Sequence, residues 1–589
     1  MIAASVLWIY WPALHGDWLW DDSLYITDNP LLRNPDRLWK AWFEPGSFVE
    51  YYPIQETVQW LQWQLWGMDT LGYHLTNVFL HILSALLVWR LLSKFGLRLA
   101  WLGGLIFAIH PVQVESVAWI VELKNTLSLP PFLLAMCAWI DYEERGKARD
   151  YWLALGLFLI AMLCKITMAT FPVVILLHAW WKRDRIVWND IKTSLPFWLI
   201  SLALGFATIW VGQHYQEYNH DSSDVIILGG NLSKLACAGL AFAFYFSKCF
   251  LPVDLMPTYP QWIVDPPMLW QFLPWVVFGC VISWLWTKRE SWGRHALLGL
   301  GFFLILLAPF LGFKSISYMS FTWVMDHFLY IPIIGLIGLF VAALGQLEIQ
   351  LPASFRLYGT GLIIAALACL AFASRGYAAI YVNSVTLWTY EIQQNPHAYL
   401  AHNNLGSAFF KEGQLTEAEA QFEESMQIKP NDANTHNNLG SILVQLGRPS
   451  DAISQYEEAL RIAPDFGEAH DNLGLAFLQT GQVDQAKEQF EQALRTKPDN
   501  AEANYNLGTV LFKAGQMPEA IMHYRHAIQV DPNYAEAHNN LGAALLNVGQ
   551  ISEAGAEFQQ ALQIKPDYTA ARNNLARLQA LQKTVPPQN

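Results

Sequence analysis

Two adjacent carboxylates near the amino terminus are the first side chains in the sequence that could perform acid–base chemistry. Asp21 and Asp22 stand in GDWLWDDSLYITDN, directly after a short apolar run. A carboxylate held at a membrane surface can take the proton of an acceptor hydroxyl, and a pair can hold a metal ion. An aspartate pair followed by serine is also an ordinary helix cap in a polar loop. The pair therefore marks a candidate catalytic site, with capping as the alternative.

Further charged side chains lie at the edges of apolar segments. Glu115, Glu122 and Lys124 follow His110 closely, and Lys165 separates two short apolar runs. A charge at the centre of a membrane helix costs roughly 2.5–3.5 kcal/mol on insertion scales, so charged residues in such segments indicate a functional site. A lysine at this edge can meet a phosphate group as a compact point charge. The alternative is that Lys165 extends its ammonium group to the interface.

The elements that must position these side chains are membrane helices. Of the 589 residues 53% are apolar and only 14% are charged, which excludes an ordinary soluble protein. Apolar runs long enough to cross a hydrocarbon core of about 30 Å recur along the first two thirds of the chain. They lie near residues 2–15, 72–93, 99–119, 126–141, 151–164, 166–181, 194–212, 231–251, 267–287, 296–312, 327–347 and 357–381.

Basic residues in the short loops predict the orientation of these runs, since such residues favour the cytoplasmic side. The basic clusters lie at 90–98, 147–149, 182–185 and 288–294. All of them reach the cytoplasm only if the run 231–251, which contains two lysines, is interfacial or re-entrant. About eleven crossings then remain, with the amino terminus inside and the carboxyl-terminal tail outside.

The loop 16–71 lies on the outer side in this topology. Its stretches WKAWF and VQWLQWQLW have spacings that suit amphipathic helices in the membrane interface, where tryptophan rings prefer to lie. The two stretches serve either as anchors or as contacts to a substrate. In both cases the loop lies against the membrane.

The carboxyl-terminal third of the chain is a tandem repeat with a period of 34 residues. The mark NLG recurs, and its glycines let paired helices approach closely; they are Gly406, Gly440, Gly474, Gly508 and Gly542. A proline precedes each unit and breaks the chain between units. These marks are those of the tetratricopeptide repeat (TPR), a helical solenoid. We predict five complete units and a capping helix.

One asparagine per unit stands at a fixed helical position: Asn404, Asn438, Asn472, Asn506, Asn540 and Asn574. A carboxamide donates and accepts hydrogen bonds, so a ladder of them could hold an extended peptide with little sequence preference. The arrangement resembles the asparagine ladder of O-linked N-acetylglucosamine transferase. The alternative is a set of consensus polar residues on a solvated helix face.

The sequence thus predicts an all-α protein with a polytopic membrane domain 1–382 and a linker 383–398. The solenoid follows at 399–582 and a disordered tail at 583–589. The chain from residue 397 onward carries most of the excess negative charge, which excludes a nucleic-acid partner. No cysteine pair has metal-ligand spacing, and we expect no metal or other cofactor.

Several longer segments resemble the transmembrane and tetratricopeptide-repeat O-mannosyltransferases and their bacterial relatives, which have the GT-C fold. They are YYPIQETVQWLQWQLWG, LGYHLTNVFLH, FAIHPVQVESVAWIVELKN, MDHFLYIPIIG and SVTLW, in that order before the repeats. The resemblance implies a metal-independent, inverting transfer of a hexose, mannose in the family, from a polyprenyl phosphate to Ser or Thr. A carboxylate in the first outer loop is then the base, either Asp21 or Asp22, with a slight preference for Asp22.

Further roles follow from the same resemblance. The cations expected to contact the donor phosphate or lipid are Lys165, His327, Lys124 and Lys314. Other residues expected to line the site are His110, Glu115, Glu122, Asp326 and Tyr330. Two departures stand out: ELKN at 122–125 replaces a Gly-Arg-Ala-Asp-like stretch of animal members, and His327 replaces an arginine. A histidine is charged only at lower pH, so the identity of the donor stays open.

Two functions remain open at this point. The first is the protein glycosyltransferase, whose solenoid binds the acceptor or a partner protein. The second is a membrane-anchored TPR scaffold without catalysis, which needs only the solenoid. The HPVQVESVAW and ELKN forms favour a bacterial inner membrane with a periplasmic solenoid; a eukaryotic protein would place it in the lumen of the endoplasmic reticulum.

Overall fold

The computed structural model describes residues 1–29, 32, 38–43, 51–219, 229–313 and 317–584. This part of the chain is helical and contains no strand, so the predicted all-α class is confirmed. The chain forms two compact units, Met1–Ala398 and Tyr399–Asn589.

Six helices among the described residues are long and apolar enough to cross a membrane. They are Thr70–Lys94, Trp188–Val211, Leu269–Thr287, Gly293–Phe310, Ile333–Gln350 and Phe355–Val382. The chain is thus a multi-pass membrane protein, but eleven crossings are not confirmed. The first run gives only the nine-residue helix Ile2–Tyr10, about 14 Å long at 1.5 Å per residue. The run 231–251 forms the single helix Asn231–Phe250 and is not among the six.

Further helices complete the membrane unit. They are Leu38–Phe43, Pro53–Trp66, Ala100–Ile109, Val114–Ala118, Leu123–Arg145, Ala148–Cys164, Phe171–Arg183 and Ser384–Gln394. The two short helices of the loop 16–71, at 38–43 and 53–66, coincide with the tryptophan-rich stretches that predicted them.

The run 99–119, expected to be one membrane span, is broken in the structure. The helix Ala100–Ile109 ends before His110, because Pro111 has no N–H to continue the helical hydrogen bonds. The chain then continues through short helical turns to Glu122, all of them buried. This irregular segment carries Glu115 and Glu122 into the interior of the membrane unit.

The segment 383–398, expected to be a linker, instead contains the helix Ser384–Gln394. Asn383 caps it by accepting a hydrogen bond from the Thr386 N–H at 2.8 Å. Trp388 in this helix is 1% exposed. Burial of the indole ring makes the helix part of the membrane unit, so it is not a free connection.

The solenoid consists of paired antiparallel helices. Their bounds are Tyr399–Lys411, Leu415–Ile428, Ala433–Gln445, Pro449–Ile462, Gly467–Gln479, Val483–Thr496, Ala501–Lys513, Met517–Val530, Ala535–Asn547 and Ile551–Ile564. A final helix, Thr569–Thr584, covers the last pair. The predicted disordered tail is therefore wrong for residues 583 and 584, and the rest of it lies outside the described residues.

The glycine of each NLG mark lies against an aromatic ring of the paired helix. At Gly440, a Cβ atom would come within 2.5 Å of the Tyr456 ring. The Tyr456 ring is buried in the continuous core of the solenoid and cannot move away freely. The NLG glycines are thus required by packing distance and not by backbone conformation.

We expect the substitution Gly440→Ala to lower the free energy of unfolding by about 1–3 kcal/mol, because overpacking displaces the Tyr456 ring. The measurement is the thermal unfolding of the full chain. Gly555→Ala is the matched control, since the nearest atom to its added Cβ would be 3.8 Å away and alanine favours the helix. Equal melting temperatures for the two variants would contradict the packing argument.

Candidate active site

Asp22 is a fully buried carboxylate that connects two segments of the backbone. Its Oδ2 accepts a hydrogen bond from the Leu19 N–H at 2.8 Å, and its Oδ1 accepts one from the Val121 N–H at 2.9 Å. Burial raises the pKa of Asp22 to about 8, although both backbone donors act to lower it. Both oxygens are thus engaged in holding the loop 16–71 to the turn at 119–122.

Asp21 lies beside it, but its side chain is only partly buried. Burial raises the pKa of Asp21 to about 6, while the charge of Lys124 lowers it and that of Glu122 raises it. Asp21 therefore lies within electrostatic range of Lys124 and Glu122. The preceding residue, Trp20, has a φ of 40°, which is rare for a residue other than glycine and costs about 1–3 kcal/mol.

The geometry therefore separates the two aspartates that the sequence could not tell apart. Both oxygens of Asp22 accept hydrogen bonds from the backbone, whereas the Asp21 side chain is partly exposed. The partial exposure of Asp21 argues against the slight sequence preference for Asp22, and which of the two is the base stays a prediction.

Lys165 belongs to a buried polar network with Asn125 and Glu122. The Lys165 Nζ donates to Asn125 Oδ1, and the Asn125 amide donates to Glu122 Oε2. Lys124 Nζ lies 3.7 Å from the other oxygen of Glu122. Burial acts to raise the pKa of Glu122, but the charges of His327, Lys124 and Lys165 outweigh it and lower the pKa. Glu122 is therefore ionised and orients the surrounding cations.

His327 completes this group from a distant part of the chain. Its Nδ1 lies 2.9 Å from Glu115 Oε1, and its backbone N–H donates to Glu115 Oε2 at 3.0 Å. Lys165, Asn125 and His327 line a small cavity of about 10 Å³. Lys124 and Asn125 thus contact Glu122, Lys165 is joined to it through Asn125, and His327 lines the same small cavity as Lys165.

An aromatic wall stands next to the carboxylates. The rings of Trp20 and Trp119 stack with centroids 5.2 Å apart, and Trp388 and Phe321 contact the other sides of Trp20. The indole Nε1 of Trp119 is buried without a hydrogen-bond partner. The stacked rings form an apolar surface beside the carboxylates, and electrostatic interactions are stronger at such a surface than in water.

Two residues that were expected to line the site, Asp326 and Tyr330, lie outside the small cavity beside Lys165. Asp326 is fully buried and accepts hydrogen bonds from the hydroxyls of Tyr259 at 2.9 Å and Tyr377 at 3.3 Å. Burial, followed by the charge of Glu115, raises the pKa of Asp326. The Tyr330 hydroxyl bonds to His81 at 3.0 Å. Neither Asp326 nor Tyr330 reaches the cavity beside Lys165.

His110 lies at an apolar cavity and not at the polar one. Its Nε2 lies 3.1 Å from the Cys249 carbonyl, and it lines a cavity of about 410 Å³ whose other walls are almost entirely aliphatic and aromatic. The turn at 331–333 contributes to the walls of both cavities. Lys314, the remaining expected cation, lies outside the described residues.

Sequence reasoning missed Asn125, Trp20 and Trp119 as site residues. Asn125 closes the ELKN stretch that departs from the family pattern, and this departure was the available signal. No pattern in the sequence marks the Trp20–Trp119 stack, because the two residues come from separate segments. Among the described residues no three His, Cys, Asp or Glu side chains could hold a metal ion, and metal independence stays a prediction.

The asparagine ladder of the solenoid is part of a network between units. From the second unit onward, each ladder amide donates to a side chain of the preceding unit at 2.9–3.2 Å. The acceptors are Asn403, Asn437, Asp471, Tyr505 and Asn539 for Asn438, Asn472, Asn506, Asn540 and Asn574. The Nδ2 of Asn404 is buried without a partner. The ladder thus stabilises the stacking of the units.

Comparison with known families identifies the repeats. Models described as tetratricopeptide repeat match residues 398–465, 472–535 and 523–556. The solved protein YrrB, described as a TPR protein with an unusual peptide-binding site, is 22% identical over 32% of this chain and 96% of that chain, with a TM-score of 0.28. The matches to the repeat models confirm the predicted TPR region.

The curated relatives bear out the resemblance predicted from sequence. Protein O-mannosyl-transferase TMTC1 of Mus musculus is 31% identical over 29% of this chain and 20% of that protein. Protein O-mannosyl-transferase Tmtc1 of Drosophila melanogaster is 31% identical over 28% of this chain and 20% of that protein. The chain thus spans about a fifth of the length of these relatives.

Proposed function

We propose that this protein transfers a hexose, mannose by analogy with its relatives, from a polyprenyl phosphate to Ser or Thr hydroxyls of proteins. The observation that carries the proposal is the polar network in which Lys124 and Asn125 contact Glu122 and Lys165 contacts Asn125, with Asp21 within range of the charge of Lys124. A carboxylate beside two ammonium groups provides a base and a phosphate site at one place. The names of the curated relatives support the same reaction class.

The reaction assigned to these residues is a single displacement. The Asp21 carboxylate takes the proton of the acceptor hydroxyl as its oxygen attacks the anomeric carbon. The bond from this carbon to the phosphate oxygen breaks on the opposite face, and the electron pair leaves with the polyprenyl phosphate. Lys165 and Lys124 stabilise the negative charge that develops on the phosphate. Attack opposite to the leaving group inverts the anomeric centre.

The apolar cavity of about 410 Å³ suits the isoprenoid chain of such a donor. Its lining comes from segments around Ile106, Phe250, Ile337 and Leu370, which are all apolar. Because the turn at 331–333 borders both cavities, a lipid phosphate could reach Lys165 while its chain stays in the apolar one. The donor would then approach from the bilayer, at the outer side, periplasmic or luminal.

The assay that tests the function uses the purified full chain in proteoliposomes with a polyprenyl phosphate mannose and a Ser/Thr-containing protein. We expect mannose to appear on the acceptor without added divalent metal. A membrane-anchored scaffold is the alternative, and it rests on the solenoid alone. Absence of transfer from mannose- and glucose-bearing donors, with the protein folded and inserted, would favour the scaffold.

We further propose that the solenoid binds the acceptor or a partner protein, since TPR units mediate protein–protein interaction. Deletion of residues 399–589 should leave transfer to a short Ser/Thr peptide unchanged within about twofold. Transfer to a long protein acceptor should fall by about tenfold or more, because the extra binding contact raises the effective acceptor concentration. Initial rates with both acceptors measure the effect, and equal loss for both would assign the solenoid to assembly.

A further inference from the structure

The helix Pro53–Trp66 buries a row of glutamines. Gln55, Gln59 and Gln62 are separated by four and three residues, so their side chains leave the same side of the helix. Gln59 is completely buried, and the other two are 4% exposed. A surface helix normally buries its apolar face instead. Here Leu61 and Leu65 are exposed, as expected for a helix that turns its leucines to lipid.

The amides of this row lack hydrogen-bond partners. Both Oε1 and Nε2 of Gln59 are buried and unpaired, and so is the Oε1 of Gln55 and of Gln62. The indole Nε1 of the adjacent Trp60 is unpaired as well. Roughly 90% or more of buried polar groups in proteins have a partner, so several unpaired amide atoms on one helix face need an explanation. A polar ligand that contacts this face would provide the missing partners.

The glutamine helix, as we call Pro53–Trp66, lies at the same end of the membrane unit as the candidate active site. Trp60 and Trp63 pack against an apolar cluster that includes Ile120, two residues before Glu122. The helix also packs against Leu123–Arg145 and Ala148–Cys164. The first of these begins beside Lys124 and the second ends beside Lys165. The glutamine helix therefore packs on the two helices whose ends carry the cations assigned to the phosphate.

We propose that the glutamine row binds the hydroxyl groups of the donor hexose, an inference that rests on the proposed function. A hydroxyl donates and accepts, and a carboxamide does the same, so each amide can pair with neighbouring hydroxyls of the ring. Neutral amides beside cations match a neutral sugar joined to a phosphate. A peptide backbone offers similar pairing but brings no phosphate for the adjacent lysines.

The row is closed in the free protein, so binding requires the glutamine helix to move away from the helices beneath it. Gly67 follows the helix with a φ of 54° and has open space around its α-carbon, which suits a hinge. The unpaired amides make the closed state less favourable than a fully bonded one. Sugar hydroxyls that enter beneath the helix then replace the absent partners.

The test compares two short-chain lipids, a polyprenyl phosphate and the same phosphate carrying mannose. Binding to the purified full chain is followed by tryptophan fluorescence, since Trp60 and Trp63 flank the row. The variants are Gln59→Leu, of similar volume, and Gln64→Leu, which is at an exposed position on the same helix and loses a hydrogen bond of 3.3 Å to the Leu32 carbonyl. Wild type and Gln64→Leu should bind the mannosylated lipid at least about tenfold more tightly than the bare phosphate. Gln59→Leu should lose this advantage and retain phosphate binding and an unchanged or higher melting temperature.

Each other outcome overturns the inference. A mannose advantage that persists in Gln59→Leu would show that the row does not hold the sugar. A raised acceptor KM in Gln59→Leu with unchanged donor binding would assign the row to the peptide. Equal affinity of the wild type for the mannosylated lipid and for the bare phosphate also overturns the inference. The transfer assay then tests the proposed function separately. Transfer by that wild-type protein would retain the function without the glutamine subsite.

Discussion

The substitution Lys165→Met is expected to lower kcat/KM for the lipid-linked sugar by about 10²–10³-fold. Removal of one hydrogen-bond donor from an oxyanion that develops in a transition state has an effect of this size. The Lys165 side chain is 5% exposed and donates to Asn125, so its ammonium group is fixed toward the small cavity. Methionine keeps an unbranched side chain of similar length and removes the charge. The measurement is initial transfer rate against donor concentration, with acceptor binding determined separately.

Lys192→Met is the matched control, because Lys192 is exposed and lies near the Trp188 ring, far along the chain from the site. It should transfer at the wild-type rate. A Lys165→Met variant that is folded and has a wild-type kcat/KM would remove the lysine from the donor site. The remaining role of Lys165 would then be to extend its ammonium group to the membrane interface.

The substitution Asp21→Asn should lower kcat by about 10²–10⁴-fold without loss of stability, since the amide cannot accept the hydroxyl proton. The base must be ionised, and the pKa of Asp21 is about 6. Wild-type kcat/KM should therefore be constant above pH 6 and fall about tenfold per pH unit below it. The residual activity of Asp21→Asn should lack this acidic limb, which a pH profile of initial rates would show.

Asp22→Asn is the paired variant, with the opposite expectation. An amide nitrogen cannot accept a hydrogen bond, so one of the Leu19 and Val121 N–H groups loses its partner at a cost of about 1–3 kcal/mol. Because the folded pKa of Asp22 is raised to about 8, wild-type stability should fall as pH rises from about 4 to 8. Thermal unfolding across this range would show a flatter dependence for Asp22→Asn. Full activity of Asp21→Asn together with inactive, stable Asp22→Asn would restore the sequence preference.

Local patterns were sufficient for some elements. The 34-residue period and the NLG glycines determined the solenoid, because each unit contacts only its neighbours. The spacing of VQWLQWQLW predicted an amphipathic helix, but period alone could not say which face is buried. Hydropathy identified the long spans and misread 99–119, where Pro111 breaks an otherwise continuous apolar run.

The sequence by itself determined that the chain crosses a membrane, ends in a TPR solenoid and carries a few charged residues that demand an explanation. Only the tertiary structure decided which of them meet. His327 pairs with Glu115 across more than two hundred residues, and Asp22 bonds to the Val121 backbone while Asp21 stays accessible. Composition and periodicity predict structure over a few turns of helix. The role of an ionised side chain depends instead on its burial and on the charges that the fold places beside it.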